Sequence, residues 1–315
     1  MADRFFRRRE LTIEEQQIRS ANPRKEWGAV LKPYFLLVPT FCFLIIFTYY
    51  PLARLVWLSF RKYNLLSQDQ FIGLQNYRQL FFINKDFGPS VKNTFVYTAA
   101  SVTLLIVLAV LFGLWMQGER KINSLAKRVI FFPHIVAGVS ISMIFAWLMN
   151  SRNGLFNQLL MAWGLSPLEW LDSSDTALGS IVGINVWKGV GYDTLIVLAA
   201  LGGISSEINE AAALDNTPSH RRLFCITLPM ISPQIFFLLV TITISSFKVF
   251  DLVRLLTNGG PGSSTYVMVL YIYRYAFEWN RQIGYACAAG VVLLLILLVL
   301  TVIYFKLVER KVHYQ

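Results

Sequence analysis

The sequence predicts an all-α integral membrane protein with six transmembrane helices. Three observations lead there. The 315 residues are 55% hydrophobic and the mean hydropathy is +0.51, too apolar for a domain with a water-facing surface. Six apolar runs, at 35–57, 94–116, 129–149, 177–201, 231–253 and 284–305, are each long enough to cross a hydrocarbon core of about 30 Å. The charge is concentrated in the termini and short connections, where membrane proteins carry it.

Residues 1–33 are polar and basic (DRFFRRRE, NPRKEW) and read as a cytosolic segment ahead of a single six-span domain at 34–315. A short helix is expected at 12–19. The first apolar run exceeds signal-peptide length and no small-residue cleavage site follows it, so it reads as an uncleaved span. Prolines 39, 51, 133, 229 and 233 fall near span ends or kink spans. Lys188 and Asp193 make the fourth run the weakest. The stretch GLFNQLLMAW at 154–163 reads as a helix lying at the outer interface, with Leu155, Leu159 and Leu160 buried.

Basic residues orient the bundle. The amino-terminal segment has eight Lys/Arg, and the second connection has four: Arg120, Lys121, Lys127 and Arg128. The third connection has Arg152 against Glu169, Asp172 and Asp175. Both termini are therefore placed in the cytosol. The first outer connection, with Arg61, Lys62, Arg78, Lys85 and Lys92, runs against this bias.

A net charge of +11 would suggest nucleic acid in a soluble chain. Here membrane orientation and anionic lipid account for it, and no nucleic-acid motif occurs. The three cysteines do not form a spaced even set. The three histidines are scattered without a neighbouring ligand, so no metal site is expected. No clustered His, Ser or carboxylate site suggests an enzyme. No G-x-x-x-x-G-K-[ST] occurs, so the chain has no phosphate-cradling loop of its own. GGPGSST at 259–265 is Gly-rich but lacks the Lys, and it reads as a turn.

One polar loop, EAAALDNTPSHRRLFCITLP at 210–229, separates two apolar runs. Ile208, Ala211 and Ala212 give a narrow face of small side chains. Asp215 and Asn216 follow, and Asn216 can take the left-handed conformation that ends a helix. Thr217 suits an N-cap and Pro218 the first position of a second helix, which Pro229 would stop.

This loop resembles the E-A-A loop of membrane subunits of ATP-binding-cassette (ABC) importers. Glu210, Ala211, Ala212, Ile226, Leu228 and Pro229 match its spacing, with Asn216 where the family has Gly. FIGLQNYRQLF at 71–81, KNTF at 92–95, TNGGPGSST at 257–265, YIYRYAF at 271–277 and the tail ERKVHYQ are similar to the sugar and glycerol-phosphate branch. The resemblance implies a type I importer permease bundle in a bacterial or archaeal cytoplasmic membrane, with a coupling loop at 204–230. It implies a second related permease subunit, two ATPase subunits that bind ATP and Mg, and an extracytoplasmic solute-binding protein. The chain itself would hold no cofactor.

Polar residues within spans are costly and often functional. Lys188, Tyr192, Lys248 and Asp251 are the candidates for a solute pathway. Lys248 and Asp251, three apart, could instead form a local ion pair on one helical face. Trp147, Trp187 and Tyr192 could stack on sugar rings. The competing reading is an ATP-independent secondary transporter, which would need coupling-ion groups near mid-membrane and often an internal repeat.

Overall fold

The computed structural model describes residues 34–308 apart from 36, 65–68, 119–120 and 280. The basic segment 1–33, its expected helix at 12–19 and the tail 309–315 lie outside the described residues. The chain divides into two compact units, 1–55 and 56–315. In the first, an apolar helix passes through a π-helical turn at Ile45–Tyr49, and Phe43 stacks on Phe47 at 5.8 Å. As a membrane span this helix, α1, is Leu37–Ser59.

The larger unit is helical with one two-stranded hairpin. Strands β1 (Arg61–Lys62) and β2 (Gln70–Phe71) pair antiparallel, with Arg61 opposite Phe71 and Lys62 opposite Gln70. Helix α2 (Gln75–Arg78) runs on into a π turn at Gln79–Ile83. Then come α3 (Phe87–Trp115), α4 (Lys121–Ile135), α5 (Gly138–Leu148), α6 (Leu155–Ala162) and α7 (Ala177–Gly202). The loop helices are α8 (Ser206–Leu214) and α9 (Ser219–Arg222). Helices α10 (Ser232–Phe247), α11 (Asp251–Leu256), α12 (Met268–Tyr273) and α13 (Ile283–Ile303) complete the chain.

Among the described residues five helical stretches are long and apolar enough to cross a membrane, and a sixth crossing results if the bent pair α4–α5 counts as one span. All six predicted runs therefore find a helix, with local differences. Helix α3 starts at Phe87, ahead of the apolar run, because the Asn84 side chain accepts from the amides of Asp86 and Phe87 and so fixes the turn before it. The third run breaks at Val136–Ala137, and α4 and α5 meet at 98°. Pro133 lies buried inside α4, where it removes a backbone donor just before the bend. Helix α6 forms, but Leu155 and Leu159 are exposed on this chain rather than buried. The side chain it buries is Asn157, which is hydrogen-bonded to Ser151, Leu168 and Trp170.

The core is built by close helix approach, the usual solution where lipid removes the hydrophobic drive between helices. Helices α3 and α7 pack through Leu105, Ala109, Val197 and Leu201. A Cβ on Gly113 of α3 would sit 2.7 Å from Val197 Cγ1. Contact between α4 and α7 is tighter still. A Cβ on Gly191 would lie 1.9 Å from the Ile130 carbonyl oxygen.

Candidate functional site

The 204–230 loop folds as two short helices, as the sequence predicts. Helix α8 ends in a Schellman arrangement: the Asn216 amide donates to Ala213 and the Thr217 amide to Ala212, at 3.1 and 3.0 Å. Asn216 has φ 50°, the left-handed conformation expected of it. The second helix differs. It starts at Ser219 with Pro218 in the N-cap position, so Thr217 is not the cap. Nor does Pro229 stop it. The chain passes through a π turn at Leu223–Thr227 into a helical turn at Leu228–Met230, where Pro229 occupies an early position that needs no donor.

Exposure divides the loop residues. Glu210, Ala211, Asp215 and Asn216 are exposed, while Ile226, Leu228 and Pro229 are half-buried. Leu214 is 84% exposed, a large apolar side chain at the tip. Ala212 is buried against its own chain whereas Ala211 is exposed, so the two do not present one surface. A cavity of about 310 Å³ lies behind α9, lined by Leu114, Gln117, Ile204, Ser219, Arg222, Leu223 and Thr227.

The four candidate pathway residues come together. Lys188 and Tyr192 line a cavity of about 340 Å³ with His134, Asn185, Asp193, Thr241 and Ser245. Lys248 and Asp251 line an adjoining cavity of about 220 Å³ with Tyr97 and Gly138, and Asn185, Lys188 and Ser245 belong to both. Asn185, Lys188 and Tyr192 fall three and four residues apart and so share one face of α7. The fifth span is broken here: Lys248–Phe250 is not helical. Lys248 and Asp251 therefore do not share a helical face, and the local ion pair does not form. Among the described residues the ion pairs are Arg61–Asp69, Arg254–Glu278 and Arg274–Glu278.

Of the aromatic candidates, Tyr192 stacks on His134 at 4.6 Å and 10°. Trp187 meets the edge of Phe145, and Trp147 is on the surface. His134 and Asn185 were not singled out from the sequence. The i, i+3, i+7 spacing of Asn185, Lys188 and Tyr192 was the available signal for Asn185. No sequence signal places His134 against α7.

The segments that open α3 and that precede α12 are bonded to one another. Asn93 donates to the carbonyls of Ser263 and Tyr266, and Thr94 Oγ1 accepts from the Met268 amide at 2.9 Å. The 92–95 and 257–265 segments are thus one structure. Asn258, Gly259 and Gly262 take positive φ in it, whereas Gly260 does not and forms a cis bond to Pro261. Arg274 donates to the Asn258 carbonyl, and Arg254 bridges Asn258 and Glu278. Burial pushes the phenols of Tyr266 and Tyr271 above their ordinary range, so both stay protonated.

A helical membrane bundle, a loop helix presented at one end and a polar cavity inside define a membrane permease component. Residues 105–314 match the model of the binding-protein-dependent transport system inner membrane component, and the chain belongs to that family. It is 32% identical over 290 residues to the sn-glycerol-3-phosphate transport system permease protein UgpA of Pectobacterium atrosepticum, covering 90% of this chain and 96% of that one. It is 29% identical to the trehalose/maltose permease protein MalF of Thermococcus litoralis, covering 87% and 92%. The fold is similar to a chain of a bacterial alginate ABC transporter in complex with its alginate-bound periplasmic protein, with TM-score 0.80, 25% identity, and 91% and 96% covered. The chain is therefore an ABC importer permease subunit with a type I bundle, and not an enzyme. The secondary-transporter alternative is set aside by this membership.

Proposed function

We propose that this permease carries a carbohydrate or related hydroxyl-rich solute through the cavities around Asn185 and Lys188, driven by ATP hydrolysis on partner subunits. The observation that carries the reading is the convergence of Lys188, Tyr192, Lys248 and Asp251 on adjoining cavities inside the spans. Burying such groups in a bilayer is costly unless they serve a path. The relatives' names, for glycerol phosphate and for trehalose or maltose, support the solute class.

The partners in this reading are a second related permease subunit, two ATPase subunits, which bind the ATP and Mg, and an extracytoplasmic solute-binding protein. Glu210, Ala211 and Asp215 on α8 meet the ATPase. Closure of the ATPases moves α8 and reorients the cavity. The purified chain alone should hydrolyse no ATP. In proteoliposomes holding all partners, Lys248→Ala and Asp251→Ala should each raise the apparent KM for solute about tenfold, the effect of one or two lost hydrogen bonds. Wild-type uptake kinetics in both would exclude the cavity as the path.

The bundle sits in the cytoplasmic membrane with both termini inside. Impermeant thiol labelling in intact cells tests this. Asn123 and Asn157 are buried and unsuitable, whereas Ser124 and Gln158 are exposed. With the exposed Cys42 and Cys225 first replaced by Ser, Gln158→Cys should label and Ser124→Cys should not. The reverse pattern would invert the topology.

A further inference from the structure

We propose that a pocket at the outer end, between the β1–β2 hairpin, α2 and the start of α13, is a second saccharide subsite for a neutral, hydroxyl-rich ring. The proposal rests on the carbohydrate-importer reading and concerns a place separate from the in-span cavities. The pocket encloses about 460 Å³, more than either of those, and within the roughly 300–1,000 Å³ of small-molecule sites. Its lining includes Lys62, Gln75, Asn76, Gln79, Gln282 and Tyr285.

The walls are fixed by bonds of their own. Asn76 is buried and donates to the carbonyls of Ser59 and Arg61 at 2.8 and 2.9 Å, locking α2 to the hairpin. The Gly284 amide donates to the Tyr63 carbonyl at 3.0 Å. A Cβ at Gly284 would lie 1.9 Å from the Arg61 oxygen, so α13 and the hairpin touch backbone to backbone. Tyr285 shares a 2.6 Å hydrogen bond with Tyr271.

Three amides remain unused. Among the described residues no hydrogen bond engages the side chains of Gln75, Gln79 or Gln282. Gln75 and Gln79 are four apart along a helical segment and share a face. Each amide offers two donors and a carbonyl acceptor, which suits hydroxyls that both give and take protons. Lys62 is the single charge in the lining, and the acid nearest in sequence, Asp69, is held by Arg61. Amides supply most of the polar groups in the lining, and they match the hydroxyls of a neutral ring.

Saturation-transfer NMR on the complete importer in nanodiscs tests this, with maltose, trehalose, sucrose and glucuronate as separate probes. At least one neutral sugar should give signal in wild type and in Lys188→Met. The double variant Gln79→Leu, Gln282→Leu should bind it roughly tenfold more weakly, from two lost hydrogen bonds. If that variant fails to assemble, Gln79→Ala with Gln282→Ala takes its place. Unchanged binding in the double variant, signal from glucuronate alone, or no signal from any probe would overturn the proposal. Co-purification of the ATPases and ATP-driven uptake are measured alongside. Their presence with unaltered sugar binding defeats the subsite alone, whereas their absence defeats the importer reading.

Discussion

Gly191→Val should remove the folded subunit from the membrane. The position leaves no room: a Cβ there would lie 1.9 Å from the Ile130 carbonyl oxygen and 2.9 Å from Phe131 Cα. Those are backbone atoms of α4, and no rotamer change can move them aside. Helix α7 would have to separate from α4, taking with it the contacts that place Asn185 and Lys188 beside His134. Overpacking in a close-packed interior costs about 1–3 kcal/mol when side chains can yield, and a backbone clash costs more. The measurement is detergent-extracted yield and thermal unfolding by fluorescence-detected size exclusion. Gly179→Val is the control, since a Cβ there meets nothing within 4 Å. It should extract and melt as wild type, and equal behaviour of the two variants would contradict the close approach.

The second large effect belongs to the loop. Ala211→Trp should abolish ATPase co-purification and uptake while leaving the subunit as stable as wild type, because Ala211 is exposed and adds bulk only to the outer face of α8. Glu210→Lys should weaken coupling by reversing a charge. Ala212→Trp is a poorer probe: its side chain is buried, so the variant distorts the loop before any partner arrives. Asn216→Gly should be nearly silent and Asn216→Val costly by about 1–2 kcal/mol, since φ 50° suits glycine and penalises a branched side chain. Pull-down of the ATPase with each variant, beside uptake, checks the set. Full uptake by Ala211→Trp would show that α8 is not the coupling surface.

Much of this was legible in the sequence because its signals are local. Length and hydropathy located all six runs, since a spanning helix must satisfy its own backbone bonds within one segment. Asn216 was legible because few residues other than Gly tolerate its backbone angle. What escaped depends on contacts between distant segments. Pro133 marks a kink, but the break itself falls at Val136–Ala137, and beyond it α5 packs on α11, a segment more than 100 residues away in sequence. The burial of Asn157 is not visible in its own helix, because its partners Ser151, Leu168 and Trp170 lie on the flanking loops. The spacing of Lys248 and Asp251 implied one helical face only for an unbroken helix. Charge and depth in a span point to Lys188, Lys248 and Asp251, whereas Asn185 and His134 join them only once separate spans pack together.

The interruption at Lys248–Phe250 bears on how the bilayer insulates. Helix α11 begins there, and the amides of Asp251, Leu252 and Val253 have no partner among the described residues, as at any helix start. Elsewhere such groups meet water at a membrane surface; here Asp251 and Leu252 adjoin a polar cavity within the span. Along this span the cavity-lining residues extend from Thr241 to Leu252. On the α10 side, insulation is left to 232–240, a stretch of about 13 Å at 1.5 Å per residue. That is less than half of a hydrocarbon core of about 30 Å.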